Sequence, residues 1–242
     1  MNINIYFFIS LFLIIIALII SIFNYKCDCN EIFINYFKGK LSNIPVRNYP
    51  YRTKCCVLLT MYVKNNPEIY EKRIHKWLNN TNLDIYIVDS SGIGINQKHE
   101  RLRQYIFEQE SEFSNYSVSV CEKNSILKAI EYFKEDFLKY NIVFKITGKY
   151  FIPDFEEIIT QIPENIEVVL QKLTITHGQN TEIVGFKPEI IREIIEFITP
   201  DLSFEKTMYI INTLPKYKKY RLPRLKLDDY TKRSDGSILY GL

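Results

Sequence analysis

The sequence predicts an α/β protein, a mostly parallel sheet with helices on both faces, preceded by one N-terminal transmembrane helix. Three observations predict it. Residues 5–23 form a run without a charge. Beyond it, continuous apolar runs rich in β-branched residues alternate with segments of helical spacing, the order that parallel strands joined by crossover helices impose. The 242 residues include 18 Tyr and 16 Phe but only 8 Gly, which supplies a core and excludes disordered and collagen-like chains. The formal charge is +3, from 31 Lys and Arg against 28 Asp and Glu. It demands no polyanion, and no nucleic-acid partner is expected.

The apolar run, IYFFISLFLIIIALIISIF, would extend roughly 28 Å as a helix, close to the hydrocarbon thickness of a bilayer. It is longer than a signal-peptide core, no basic segment precedes it and no A-x-A-like site follows, so an uncleaved single-pass anchor over residues 1–24 is expected. Residues 25–53 are polar, aromatic and Pro-punctuated, as a stem would be, and residues 54–242 form the α/β domain. Orientation has opposed indicators. Lys26, Lys38, Lys40 and Arg47 follow the anchor and favour a cytoplasmic domain, whereas large domains translocate regardless of charge and glycosylation sequons begin at Asn79 and Asn115. A luminal domain is expected, with the cytoplasmic side as the alternative.

Residues 55–63 (CCVLLTMYV) read as a buried strand. Pro67 opens a helix over 67–80, with Ile69, Ile74 and Trp77 near helical spacing. Residues 83–92 (LDIYIVDSSG) are a second buried strand ending in a polar turn. Residues 97–110 are expected as a surface helix, 116–124 as a third strand, and 125–140 as an amphipathic helix capped by Ser125. A fourth strand follows over 141–151, a short helix over 154–162, a fifth strand over 167–175 and a sixth over 181–188. Pro188 starts a helix through residue 198, and 204–214 is the last.

Ligands of an open parallel sheet bind beyond the carboxyl ends of its strands. The polar residues expected there are Thr60 and Tyr62, Asp89 to Gly92, Glu122 to Ser125, and Thr147 to Tyr150. No G-x-G-x-x-G or G-x-x-x-x-G-K-[ST] follows a strand, which argues against a dinucleotide fold and a P-loop. No G-x-S-x-G exposes Ser90 or Ser91 on a nucleophile elbow. The five Cys and three His have no C-x-x-C or H-x-x-x-H spacing, and no structural metal site is expected.

The segment FKITGKYF (residues 144–151) resembles the K-[IL]-T-G-[KR]-Y-[FY] segment of small glycosyltransferase-like proteins, and residues 54–240 resemble the Rossmann-like, GT-A-type nucleotide-sugar-binding fold. The resemblance implies a membrane-anchored glycosyltransferase, with a nucleotide-sugar donor and a glycan or glycoconjugate acceptor. It implies a donor site of Thr60, Tyr62, Asp89, Ser90, Lys123, Thr147, Gly148 and Lys149, with Asp89 near the base or ribose. Thr147-Gly148-Lys149 stands where many such enzymes carry a metal-holding D-x-D. Without those carboxylates, either Lys149 supplies the positive charge in place of a divalent metal, or transfer has been lost and a membrane-tethered binding module remains. Gly148 would admit the ligand close to the backbone. Glu205, at the start of a helix, is the expected base for the acceptor hydroxyl, with Asp201 second. Arg233 to Gly236, including Asp235, is expected to turn over the diphosphate. Each of these residues also has a plainer reading as a turn former or a helix-start carboxylate.

Overall fold

Trp77 is fully buried and sits edge-on to Phe151 and Phe155, with ring centroids 5.1 and 5.5 Å away. This aromatic group packs one face of a mixed sheet in the computed structural model, which describes residues 54–110, 117–174, 178–232 and 238–241. The expected anchor, the stem, Asn115, Arg233 and Asp235 lie outside the described residues. Among the described residues, no helix is long and apolar enough to cross a membrane.

The strands are β1 (Cys55–Met61), β2 (Asp84–Asp89), β3 (Leu102–Ile106), β4 (Ile142–Thr147), β5 (Val168–Leu170), β6 (Leu173–Thr174), β7 (Gly178–Gln179), β8 (Ile183–Phe186), β9 (Lys219–Arg221), β10 (Lys226–Lys232) and β11 (Ile238–Gly241). The helices are α1 (Pro67–Asn80), α2 (Val118–Tyr132), α3 (Lys134–Phe137), α4 (Phe155–Ile159), α5 (Pro188–Glu196) and α6 (Phe204–Thr213). Seven strands form one sheet in the order β3-β2-β1-β4-β8-β5-β9. β8 runs against both of its neighbours and the other pairings are parallel, giving a Rossmann-like, mostly parallel sheet. β6 with β7, and β10 with β11, are separate two-stranded hairpins.

Alternation along the strands divides the core. Val57, Leu59, Ile85, Phe144 and Ile146 pack with Trp77 of α1 and Phe155 of α4. Leu58, Tyr86 and Val143 point the other way, to Ala129 of α2, while Val168, Leu170, Val184 and Phe186 meet α5 and α6. Strands covered on both faces carry no polar alternation, which is why 55–61 and 84–89 read directly as strands.

Three expectations need correction. Residues 97–110 contain β3, an edge strand laddered to β2 from Leu102↔Ile85 to Asp89↔Ile106. Half-buried and charge-rich, it imitates a solvated helix, and its ladder decides the matter. Residues 116–124, expected as the third strand, instead open α2. Val118 is 84% exposed and so meets no sheet, and burial of Ile126, Ala129 and Ile130 on one helix face overrides the strand propensity of SVSV. Ser125 is consequently no cap. It lies inside α2, where its hydroxyl donates to the Cys121 carbonyl at 3.1 Å, and Ser117 occupies the N-cap position. Finally, the fifth strand is divided: β5 stays in the sheet and β6 leaves it for the hairpin with β7.

Candidate functional site

Register aligns the carboxyl ends of the parallel strands. Thr60 stands opposite Thr147, Met61 opposite Asp89, and Asp89 opposite Ile106. The antiparallel β8 begins at this same edge, since Ile183 pairs with Ile146 and the Thr147 N–H donates to the Glu182 carbonyl at 2.9 Å.

After β4 the chain turns tightly, the Tyr150 N–H donating to the Thr147 carbonyl at 3.0 Å. α1 grips this turn from beneath: Arg73 Nε donates to the Lys149 carbonyl at 3.1 Å and Trp77 Nε1 to that of Tyr150 at 2.9 Å. Gly148 donates to the Thr60 carbonyl at 2.9 Å, and a Cβ there would sit 2.3 Å from Met61 Cγ and 3.0 Å from the Thr60 oxygen. The close approach expected between Gly148 and a ligand is therefore an approach to β1 itself.

Asp89 is completely buried. Its Oδ1 accepts from the Val63 and Ser91 N–H groups at 3.0 and 3.2 Å, and its Oδ2 from the Ser91 hydroxyl at 2.7 Å and the Gly94 N–H at 2.8 Å. Gly94 supplies the positive φ of +70° that this last bond needs. Four donors fill a carboxylate's acceptor positions, so Asp89 organises the β1 and β2 ends and does not offer its oxygens to a ribose. Ser90 turns its hydroxyl to the Met61 carbonyl at 3.3 Å, and Tyr62 stands 44% exposed at the edge.

Lys123 is placed elsewhere than expected. It lies on α2, and its ammonium caps the end of α5 by donating to the Glu196 and Ile198 carbonyls at 3.0 and 2.6 Å. Glu205 does reach the edge. It stands in the first turn of α6, exposed, with Oε1 accepting from the Thr181 hydroxyl at 3.3 Å, while the Ser203 hydroxyl accepts from the Lys206 N–H at the N-cap. Asp201 is exposed in the loop before α6. Arg233 and Asp235 belong to the segment between β10 and β11, outside the described residues.

Sequence reasoning missed Lys145 and Thr181. Lys145 is a cation in the middle of an apolar strand, and that alone signals a built partner, because a buried ammonium must be paired. Its ammonium contacts Glu122 Oε1 at 2.6 Å, donates to the Thr181 carbonyl at 2.8 Å and lies 4.9 Å from the Phe204 ring centroid. Glu122 Oε1 also accepts from the Thr60 hydroxyl at 3.0 Å. Glu122, expected at this edge beyond a third strand, reaches it from α2 instead.

The donor set among the described residues does not suit a divalent cation. Among the described residues no three His, Cys, Asp or Glu side chains converge. Asp89 is filled, and Lys145 already stands as the cation on Glu122. The described cysteines are also ill suited to thiol chemistry: burial pushes Cys55 up to about 12 and raises Cys56 and Cys121, keeping them protonated. A cavity of about 220 Å³ opens at the opposite end of the sheet, beside Cys55, Asp84, Tyr140 and Glu156.

The sequence matches no protein-family model and no curated protein. Solved structures are similar to part of this chain at low identity. The mannosyltransferase PcManGT from Pyrobaculum calidifontis, in complex with GDP-Man and Mn2+, is 13% identical at a TM-score of 0.48, over 79% of this chain and 62% of that one. A cytidylyltransferase from Leptospira borgpetersenii is 12% identical at 0.46, over 71% and 76%. A glycosyltransferase involved in the glycosylation of the major capsid of PBCV-1 is 11% identical at 0.46, over 69% and 80%. This chain spans less than two thirds of the mannosyltransferase. The likeness is one of backbone alone and assigns neither substrate nor chemistry.

Proposed function

We propose that the chain is a membrane-anchored glycosyltransferase that moves a sugar from a nucleotide-sugar donor to a glycan or glycoconjugate acceptor. One observation carries the reading: a carboxylate and the T-G-K turn, far apart in sequence, meet at one edge. Glu205 hangs from the Thr181 hydroxyl, and the next residue, Glu182, takes the Thr147 N–H.

In the proposed reaction the acceptor hydroxyl oxygen attacks the anomeric carbon. The bond from that carbon to the donor's diphosphate breaks, and its electron pair leaves with the diphosphate. Glu205 takes the hydroxyl proton, the task of a general base. Lys149 stabilises the charge gathering on the leaving group. Tyr62, Thr60, Ser90 and Thr147 line the donor side, the exposed Tyr62 ring being suited to stack on a base. Asp89 holds these residues in place without touching the donor. Residues 1–24 anchor the enzyme, residues 25–53 carry its domain clear of the membrane, and the domain faces the lumen.

A second reading, a membrane-tethered binding module that has lost transfer, draws on the filled Asp89 and the missing metal carboxylates. The full chain in detergent micelles, screened by thermal shift and by nucleotide release with UDP-glucose, GDP-mannose and CMP-sialic acid, with and without Mn2+, separates the two. Stabilisation by one donor together with its turnover, the latter lost in Glu205→Gln, supports transfer. Donor stabilisation with no turnover by the wild type supports the module. No response to any donor rejects the donor site altogether.

A further inference from the structure

Lys145 begins the K-I-T-G-K stretch, yet the reaction above gives it no task. Its side chain is 1% exposed, while that of Glu122 is 20% exposed, so the acidic end of the pair opens outward. Glu122 Oε1 takes both Lys145 and Thr60, and among the described residues Oε2 has no partner. Glu205 repeats the pattern: Oε1 accepts from the Thr181 hydroxyl and Oε2 has no partner among the described residues. The backbone carbonyl of that same Thr181 accepts from Lys145. One ammonium therefore ties together two carboxylates from different helices, one directly and one through a single residue, and each keeps an oxygen open. The face of the Phe204 ring, adjacent to Glu205 in α6, supports the ammonium from its other side.

We propose that Lys145 is a positioning residue that, with Glu122 as its counter-ion, fixes Glu205 in its active-site geometry through Thr181. This rests on the glycosyltransferase reading. A purely structural lysine would matter only because leaving Glu122 unpaired destabilises the fold. Removing both charges separates the two roles, since an ion pair replaced as a pair no longer leaves a buried charge behind.

The test uses the full chain as wild type, Lys145→Met, and Lys145→Met with Glu122→Gln, with nucleotide release from UDP-glucose and GDP-mannose measured beside thermal midpoints. Lys145→Met should lower the midpoint and the double variant should recover most of it. Turnover should not recover: kcat in the double variant stays down by about 100-fold, the loss expected of misplaced catalytic groups, while donor KM moves less than about threefold. A double variant that regains both stability and kcat overturns the proposal, as does a parallel loss of donor affinity and kcat, which would make Lys145 a plain binding residue. If the wild type releases no nucleotide from either donor, the glycosyltransferase reading has failed for these donors, and it takes the positioning role with it; that outcome is recognised before any variant is compared.

Discussion

Lys145 of β4 and Glu122 of α2 meet at 2.6 Å, with the lysine enclosed and the glutamate at the margin. A pair so placed does little for stability while intact, because desolvation offsets most of the attraction, but either partner left alone is costly. Glu122→Ala is expected to destabilise the protein by about 3 kcal/mol, read as a shift in urea midpoint. Thr60→Val, which removes one hydrogen bond to the same oxygen, should cost about 1 kcal/mol. Equal costs would show that the ion pair is no more than a surface contact.

Asp89 tests whether a carboxylate at the strand ends binds donor or chain. Asparagine keeps its shape but presents an NH2 to two of the four donors. Asp89→Asn should cost about 2–3 kcal/mol by urea denaturation, the penalty of a buried donor facing a donor. Variant that remains folded should bind donor with unchanged affinity by titration calorimetry. An intact stability with weakened donor binding would return Asp89 to the ribose.

Gly148 has no room for a Cβ because Met61 and the Thr60 carbonyl occupy it. Gly148→Ala is expected to cost about 1–3 kcal/mol through overpacking. Shortening the flexible neighbour with Met61→Ala should recover part of that cost, giving a favourable coupling in a double-mutant cycle. Simple additivity would mean that the backbone contact with Thr60, at 3.0 Å, decides the strain.

Alkaline pH should weaken the fold before any general effect of net charge. Burial raises Cys55 from 9.0 to about 12 and Tyr86 from 10.0 to about 12. The folded state thus keeps protons that the unfolded chain releases, so this stability is complete below pH 9 and is lost as pH rises towards 12. The urea midpoint should fall steadily between pH 9 and pH 11, and Cys55→Ala should flatten the fall. A midpoint independent of pH across that range would contradict the burial of both groups.

The strands legible in the sequence were those buried on both faces. Residues 55–61, 84–89, 142–147 and 183–186 are apolar at nearly every position because a central strand has no solvent side to mark. β3 and α2 exchanged identities for the converse reason. An edge strand needs only half its residues apolar, and an N-terminal helical turn exposed to solvent tolerates β-branched residues that a strand would also accept. Local preference differs by tenths of a kcal/mol in such segments, and pairing or face burial outweighs it.

The candidate site divides along the same line. Thr147-Gly148-Lys149 at the end of a central strand, and a carboxylate opening the helix at 204, follow from spacing and residue type, and so does the expectation that chemistry lies at the carboxyl edge. Whether an oxygen there is open or filled does not. Asp89 is closed by donors from residues 63, 91 and 94, and Lys123 is drawn away to the end of α5. Glu122, Lys145, Thr181 and Glu205 come together from three elements and the segment leading into β8. Sequence determines which side chains can accept, donate or carry charge, because that is chemistry held within each residue. Only the tertiary structure decides which of them face one another, because hydrogen bonds and ion pairs fall off over a few ångströms and the chain crosses those distances in no order that spacing records.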